Sequence, residues 1–126
     1  MKSSLYRRRW MPESDGPPRS IYLAHGISEH SGRYDELGEW LAGLGWMVGA
    51  HDHHGFGQSG GRRGIMRSAT AYVDDTASCL QEFARETATR PILLGHSMGG
   101  VIALKTVMTH QTDVSGLILS GPAKKK

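Results

Sequence analysis

The residues best suited to chemistry lie in the pentapeptide Gly95-His96-Ser97-Met98-Gly99. A short apolar run at 91–94 precedes it, and a second apolar run with helical spacing follows it. The pattern Gly-x-Ser-x-Gly between a strand and a helix is typical of a sharp turn that exposes a serine hydroxyl for nucleophilic attack. We therefore predict that Ser97 is a nucleophile held where a strand meets a helix.

The residues around this serine agree with that interpretation. A Cβ at Gly95 or Gly99 would collide with the neighbouring turn. The helix that begins behind Ser97 offers free N–H groups and a positive dipole end, which suit a developing oxyanion. The alternative is a glycine-rich loop that closes an ordinary strand–helix pair, and it is disfavoured because the flanking segments match the motif as well as the pentapeptide does. We interpret residues 95–99 as a nucleophile elbow.

A second group of candidate residues, His51 to His54 with Asp52 among them, suggests a metal site. His51 and His53 would share one face of a strand. The order of the cluster differs, however, from the His-x-His-x-Asp-His order of binuclear zinc hydrolases. We expect no metal and no cofactor here, but a supporting loop in which Asp52 and nearby glycines brace the turn beside the active site.

Length, charge and cysteine content limit the possible classes of protein. The 126 residues, 38% of them hydrophobic, suffice for one domain with a modest core. The net charge of +3 equals the charge of the three lysines at 124–126, so the rest of the chain is neutral and predicts no binding to nucleic acid. The sequence predicts neither a signal peptide nor a membrane span. The single cysteine, Cys79, is expected to be partly buried and fits a reducing, cytoplasmic compartment.

Hydrophobic periodicity predicts alternating strands and helices. Ser31 is the expected N-cap of a helix at 33–44, Asp74 and Asp75 are expected in the first turn of a second helix, and Trp40 and Trp46 are expected in the core. Strands that are apolar on both faces belong in a parallel sheet covered by helices on both sides. The predicted strands are 20–24, 46–50, 91–94 and 116–120, with an outer strand within 5–11.

Three motifs, in this order, resemble a known family. They are His25–Tyr34 (HGISEHSGRY), then Asp52–Ser59 (DHHGFGQS) followed by Gly61 and Arg62-Arg63-Gly64, and then Gly95–Gly100 (GHSMGG). The chain resembles the α/β-hydrolase superfamily, and within it the monoacylglycerol lipase and lysophospholipase group of serine aminopeptidase-like hydrolases. The resemblance covers essentially residues 5–123.

The resemblance implies an α/β fold with an α/β-hydrolase core, a mostly parallel sheet with helices on both faces, truncated before the lid and the last strands. Residues 1–123 would be the N-terminal part of this domain, and residues 124–126 a lysine tail outside the fold. The implied activity is hydrolysis of glycerolipid esters through an acyl-enzyme. The implied partners are a small lipid ester and a membrane surface contacted peripherally.

The resemblance also implies roles for individual residues. Ser97 would be the nucleophile, and the backbone N–H groups of Ile27 and Met98 would form the oxyanion hole. The residues of the supporting loops would be His25, Gly26, Asp52, Gly95 and Gly99.

The other members of a Ser-Asp-His triad are not expected within this chain. In the family the acid and then the histidine follow the lid. His110 and Asp113 occur in the reverse order and at the far end of the helix after Ser97. We therefore expect the isolated chain to be inactive and to self-associate. The alternative is a non-catalytic α/β-hydrolase fragment, or a module that binds a lipid or a partner.

Overall fold

The chain folds around a central five-stranded sheet in this computed structural model, which describes residues 5–13, 16–26, 29–61, 68–110 and 113–121. The strands are β1 (Arg7–Trp10), β2 (Arg19–Ala24), β3 (Trp46–His51), β4 (Ile92–His96) and β5 (Gly116–Ser120). The helices are a short 3-10 helix (Ser31–Tyr34), α1 (Asp35–Gly43), α2 (Ala69–Thr87) and α3 (Met98–His110). No helix in these ranges is long and apolar enough to cross a membrane.

The strand order is β1-β3-β2-β4-β5, with β1 antiparallel to β3 and the remaining pairs parallel. The four strands after β1 are adjacent, and a helix lies between each of them and the next along the chain, as parallel crossovers require. Because the carboxyl ends of parallel strands share one edge, the loops after β2, β3 and β4 meet there.

Helices cover both faces of the sheet. On one face α2 and α3 pack over Tyr22 and Leu93, and on the other α1 packs over a cluster that includes Trp10 and Val48. Side chains alternate between the two clusters along a strand, so Tyr22 faces one layer while Ile21 and Leu23 face the other. The predicted fold class, a mostly parallel sheet between helices, is confirmed.

Two predicted helix starts are wrong. Helix α2 begins at Ala69 after the N-cap Ser68, whose hydroxyl accepts from the Ala71 amide at 3.3 Å. Asp74 and Asp75 therefore lie in the second turn, because an exposed first turn precedes the apolar stripe. Helix α1 begins at Asp35 with Tyr34 at its N-cap, and not at residue 33 with Ser31 as the cap. Ser31 is instead the first residue of the 3-10 helix, which is capped by His30, whose Nδ1 accepts from the Gly32 amide.

Burial differs from the sequence prediction at two side chains. Trp40 is 63% exposed although it was expected in the core. The backbone of Gly38 in α1 lies against the Trp10 ring, and a residue two positions further along a helix points about 200° away. Cys79 is fully buried instead of partly buried, since it lies on the face of α2 that packs on Tyr22.

Candidate active site

Ser97 lies in the tight turn between β4 and α3. Its φ angle is +57°, a left-handed conformation that is uncommon and strained for a residue with a side chain. Its amide donates to the Ser120 carbonyl at 3.0 Å, and its own carbonyl accepts from the Gly100 amide at 2.9 Å. The turn thus holds the serine at the carboxyl edge of the sheet.

The two glycines that flank the serine allow backbone to approach backbone. A Cβ on Gly95 would lie 2.6 Å from the Gly99 carbonyl carbon and 2.8 Å from the Gly100 Cα. A Cβ on Gly99 would lie 2.5 Å from the His25 carbonyl oxygen. Because backbone cannot move aside as a flexible side chain can, only glycine fits at these two positions.

The loop after β2 touches the same turn. A Cβ on Gly26 would lie 3.1 Å from the His96 carbonyl oxygen and 3.2 Å from the Ser97 Cβ. Ile27, the predicted oxyanion donor, follows Gly26 directly and lies outside the described residues. The Gly26 amide donates to Glu29 Oε1 at 2.6 Å, and the Tyr34 hydroxyl donates to the same oxygen at 2.6 Å.

Glu29 is a candidate functional residue that was not predicted from the sequence. Burial alone would raise the pKa of Glu29, but the hydrogen bonds from Gly26 and Tyr34 outweigh it, so the pKa is lowered and the side chain is a carboxylate. The signal was present in the sequence, since Glu29 and Tyr34 belong to the same motif. Its carboxylate anchors the loop beside Ser97.

Met98, the other predicted oxyanion donor, is the first residue of α3. The helical hydrogen bonds begin with the Gly100 and Val101 amides, which donate to the Ser97 carbonyl. The Met98 amide therefore precedes the hydrogen-bond ladder, at the positive end of the helix dipole. The Met98 side chain packs on the cluster that contains Phe56 and Tyr72.

Asp52, predicted to brace the loops, is fully buried just after β3. Its Oδ1 accepts from the amide of Ser31 at 2.7 Å and from the hydroxyl of Ser31 at 2.5 Å, and its Oδ2 accepts from the Gln58 amide at 2.8 Å. Burial by itself would raise the pKa of Asp52, but these hydrogen bonds lower it by a larger amount, so the net shift of the pKa is downward. The carboxylate ties the loop after β3 to the 3-10 helix.

Three buried histidines form a layer at the carboxyl ends of β2 and β3: His25, His51 and His53. The rings of His25 and His53 are 4.1 Å apart, and those of His51 and His53 are 5.1 Å apart. His51 Nδ1 lies 2.7 Å from the Tyr22 hydroxyl. Burial lowers the pKa of all three, that of His51 to about 3, so they are neutral at physiological pH.

The described residues contain no group of three or more His, Cys, Asp or Glu side chains arranged to hold a metal ion. That the protein binds neither a metal nor a cofactor stays a prediction.

His110 and Asp113 have partners away from the turn. His110 Nε2 lies 2.8 Å from Asp74 Oδ1, and Asp113 Oδ1 accepts from Arg90 Nε at 2.7 Å. Along α3, His110 is about 18 Å from the helix start. All seven histidines fall within the described ranges, and none of them is hydrogen-bonded to Ser97 Oγ.

The family model described as serine aminopeptidase, S33, matches residues 15–126. The chain belongs to this family. The resemblance predicted from the three motifs is thereby confirmed.

Relatives within the serine aminopeptidase S33 family are similar along nearly the whole chain. The chain is 41% identical to a mouse monoglyceride lipase over 119 residues, which are 94% of this chain and 39% of that protein. It is 36% identical to phospholipase YtpA of Bacillus subtilis over 114 residues, 90% of this chain and 44% of that protein. The chain therefore spans about two fifths of the length of such relatives.

Solved structures agree with the fold. A monoacylglycerol lipase from Paleococcus ferrophilus superposes with a TM-score of 0.78 at 35% identity, over 97% of this chain and 44% of that one. A thermostable carboxyl esterase from Bacillus coagulans superposes with a TM-score of 0.80 at 26% identity, over 94% of this chain and 40% of that one. The fold is that of the α/β-hydrolases.

Proposed function

We propose that this chain supplies the nucleophile and the oxyanion donors of a serine hydrolase that acts on glycerolipid esters. The observation that carries the proposal is the left-handed Ser97 between β4 and α3, flanked by glycines that accept no Cβ. The Ser97 oxygen attacks the ester carbonyl carbon, the bond from that carbon to the alcohol oxygen breaks, and the serine proton ends on this oxygen as the glycerol-containing alcohol leaves. Water then hydrolyses the acyl-enzyme to a fatty acid and free Ser97.

Two backbone amides would stabilise the oxyanion that forms in this attack. The first is the amide of Met98, at the beginning of α3 and next to Ser97. The second is the amide of Ile27, and the contact of the preceding Gly26 with the Ser97 turn supports it. Removal of one such donor typically costs about a hundredfold to a thousandfold in kcat.

The proposed substrate class comes from the relatives. The mouse relative is a monoglyceride lipase and the Bacillus subtilis relative is a phospholipase. Both names denote hydrolases of glycerolipid esters. We extend that class to this chain and propose peripheral contact with lipid surfaces, at which such esters reside. A cytoplasmic location, expected from the composition, stays a prediction.

We further propose that residues 1–126 alone do not turn over substrate. His110 is bound to Asp74, Asp113 is bound to Arg90, and no described histidine is hydrogen-bonded to Ser97 Oγ. A serine without its histidine loses roughly a millionfold in kcat, by analogy with triad deletions. The same observation favours the second candidate function, a non-catalytic chain that binds a lipid or a partner.

Stoichiometric labelling tests the nucleophile separately from turnover. The chain and its Ser97→Ala variant are incubated for hours with a large excess of an alkyl fluorophosphonate at alkaline pH, where hydroxide takes the place of the missing base. The adduct is located by peptide mass spectrometry. We expect phosphonylation at Ser97, none in the variant, and unchanged labelling in a Ser78→Ala control, whose serine is exposed on α2. Equal modification of the Ser97→Ala variant would refute the nucleophile assignment.

Turnover of p-nitrophenyl butyrate by the same proteins tests the missing base. We expect a rate equal to that of Ser97→Ala. If hydrolysis is detected and Ser97→Ala abolishes it, a histidine of this chain acts as the base and the proposed inactivity is wrong.

A further inference from the structure

We propose that His25 and His53 form a reciprocal hydrogen-bonded pair that positions the Gly26 loop against Ser97. This inference rests on the proposed function, because it gives residues at the carboxyl ends of β2 and β3 a task in placing groups around the reacting serine. His53 follows β3 and His25 follows β2, so the pair joins the ends of two adjacent parallel strands. Neither residue is placed to touch substrate, and both would act as positioning residues.

The pair is linked in both directions. The His53 amide donates to His25 Nε2 at 2.9 Å, and His53 Nε2 lies 3.0 Å from the His25 carbonyl oxygen. Each residue therefore contributes one backbone group and one ring nitrogen. Both side chains are no more than 1% exposed, so water does not compete for these bonds.

The partners determine where the protons lie. A backbone amide can only donate, so His25 Nε2 must be an unprotonated acceptor, and the proton of the neutral ring is on Nδ1. His25 Nδ1 lies 2.7 Å from the Gly26 carbonyl oxygen and donates to it. A carbonyl can only accept, so His53 Nε2 carries the proton of that ring.

This assignment connects the pair to the reacting serine. The Gly26 carbonyl is held by His25 and the Gly26 amide by Glu29. Because a peptide unit is planar, the direction of a carbonyl also fixes the direction of the amide that follows it. Holding Gly26 would thus orient the amide that the proposed function uses as an oxyanion donor.

Burial keeps the two rings in one protonation state, the neutral one. Burial lowers the pKa of His25 against the opposing effects of the Gly26 carbonyl, Asp52 and Glu29. Burial and the two other histidines of the layer lower the pKa of His53. A proton added to His25 Nε2 would face the His53 amide donor to donor, so the pair requires a neutral His25.

Nitrogen NMR of the ¹⁵N-labelled chain tests the pair without any activity. We expect His25 to be protonated at Nδ1 and His53 at Nε2 at neutral pH. We also expect the His25 assignment to be retained in His53→Leu, because the backbone amide that donates to His25 Nε2 is still present and only the bond to the His25 carbonyl oxygen is lost. A His25 ring protonated at Nε2 in the wild type would overturn the proposal, whether or not Ser97 reacts.

The rate of Ser97 phosphonylation then tests positioning. His53→Leu is expected to label at least about tenfold more slowly than the wild type, because small misplacements of catalytic groups are costly. His53→Gln, whose amide can replace Nε2–H, is expected to restore most of the rate. His51→Gln is the matched control, since it alters a buried histidine of the same layer that lacks a bond to the Gly26 loop.

The outcomes separate the two proposals. If Ser97 labels in the wild type and equally fast in His53→Leu, the positioning role is wrong while the nucleophile stands. If the wild type does not label but His25 shows the expected tautomer, the proposed function fails while the pair is retained. If His53→Leu does not fold, the wild-type tautomers still test the pair, and His53→Phe, a ring without a donor, replaces His53→Leu in the rate comparison with His53→Gln.

Discussion

Gly95 and Gly99 are in backbone contact, so that a Cβ on Gly95 would lie 2.6 Å from the carbonyl carbon of Gly99. The end of β4 and the first turn of α3 meet at this point, and the Ser97 turn exists only if they do. The separation of two glycine backbones thus determines whether the serine hydroxyl is presented at the edge of the sheet.

Replacing Gly95 by Ala is expected to lower the free energy of unfolding by about 3 kcal/mol, since overpacking against backbone is not relieved by a rotamer change. The midpoint of urea unfolding, followed by far-UV circular dichroism, measures this change. Gly43→Ala is the control, because its Cβ would meet nothing within 4 Å at the end of α1. A helical Gly→Ala change should increase stability by about 0.5–1 kcal/mol. Equal midpoints for the two variants would contradict the contact.

The left-handed backbone of Ser97 predicts an inverted order of stability between two variants that both lack the hydroxyl. Ser97→Gly should be more stable than Ser97→Ala by about 1–2 kcal/mol, the cost of a left-handed residue with a Cβ. At Ser78, which is exposed within α2, the alanine variant should be the more stable one by about 1 kcal/mol, because glycine is a poor helix former. The same order at both positions in urea titrations would show that Ser97 is not strained.

The buried histidines predict acid destabilisation. They stay neutral in the fold, whereas in the unfolded chain they protonate near pH 6.5. The unfolded state therefore binds more protons below pH 6.5, and stability should fall as the pH falls from there toward the folded pKa values, about 3 for His51. Asp52 and Glu29, whose pKa values are lowered, should contribute a further loss at still lower pH.

Urea midpoints at pH 7.5, 6.0 and 5.0 measure this effect. The stability of His51→Asn should decline less steeply with falling pH, because this variant lacks one of the groups that bind a proton in the unfolded state but not in the fold. Stability that does not change over this interval would mean that the three rings are already protonated in the fold or exposed to water.

The outer strand β5 predicts self-association. Ile118 and Leu119 are 45% and 37% exposed, and within the described residues β5 pairs only with β4. An apolar strand edge is a template for pairing with another chain. Light scattering should show a mass that increases with concentration and decreases in Ile118→Lys. Met108→Lys, at an exposed apolar site on α3, is the control, and a monomer at every concentration would contradict the prediction.

Much of the candidate site was predictable because its signals are local. The Gly95–Gly99 pattern and the apolar runs on either side of it specify a strand, a turn and a helix through steric limits that act within a few residues. The apolar strands likewise predicted a parallel sheet between helices, since such strands must be buried on both faces. The order of the three motifs indicated the family, and the match of residues 15–126 to the serine aminopeptidase S33 family bears it out.

Contacts between loops could not be predicted from the sequence, since they depend on which strand ends become neighbours. The β3-β2-β4 order brings His53 to His25 and Asp52 to Ser31, and neither pair has a fixed spacing along the chain. The exposure of Trp40 was likewise decided by packing, because the contact of Gly38 with Trp10 sets the rotation of α1. The sequence by itself determined the candidate nucleophile, Ser97, and the strand and helix beside it. Only the tertiary structure decided what holds the loops around that serine, because side chains far apart in the chain acquire partners when the sheet assembles.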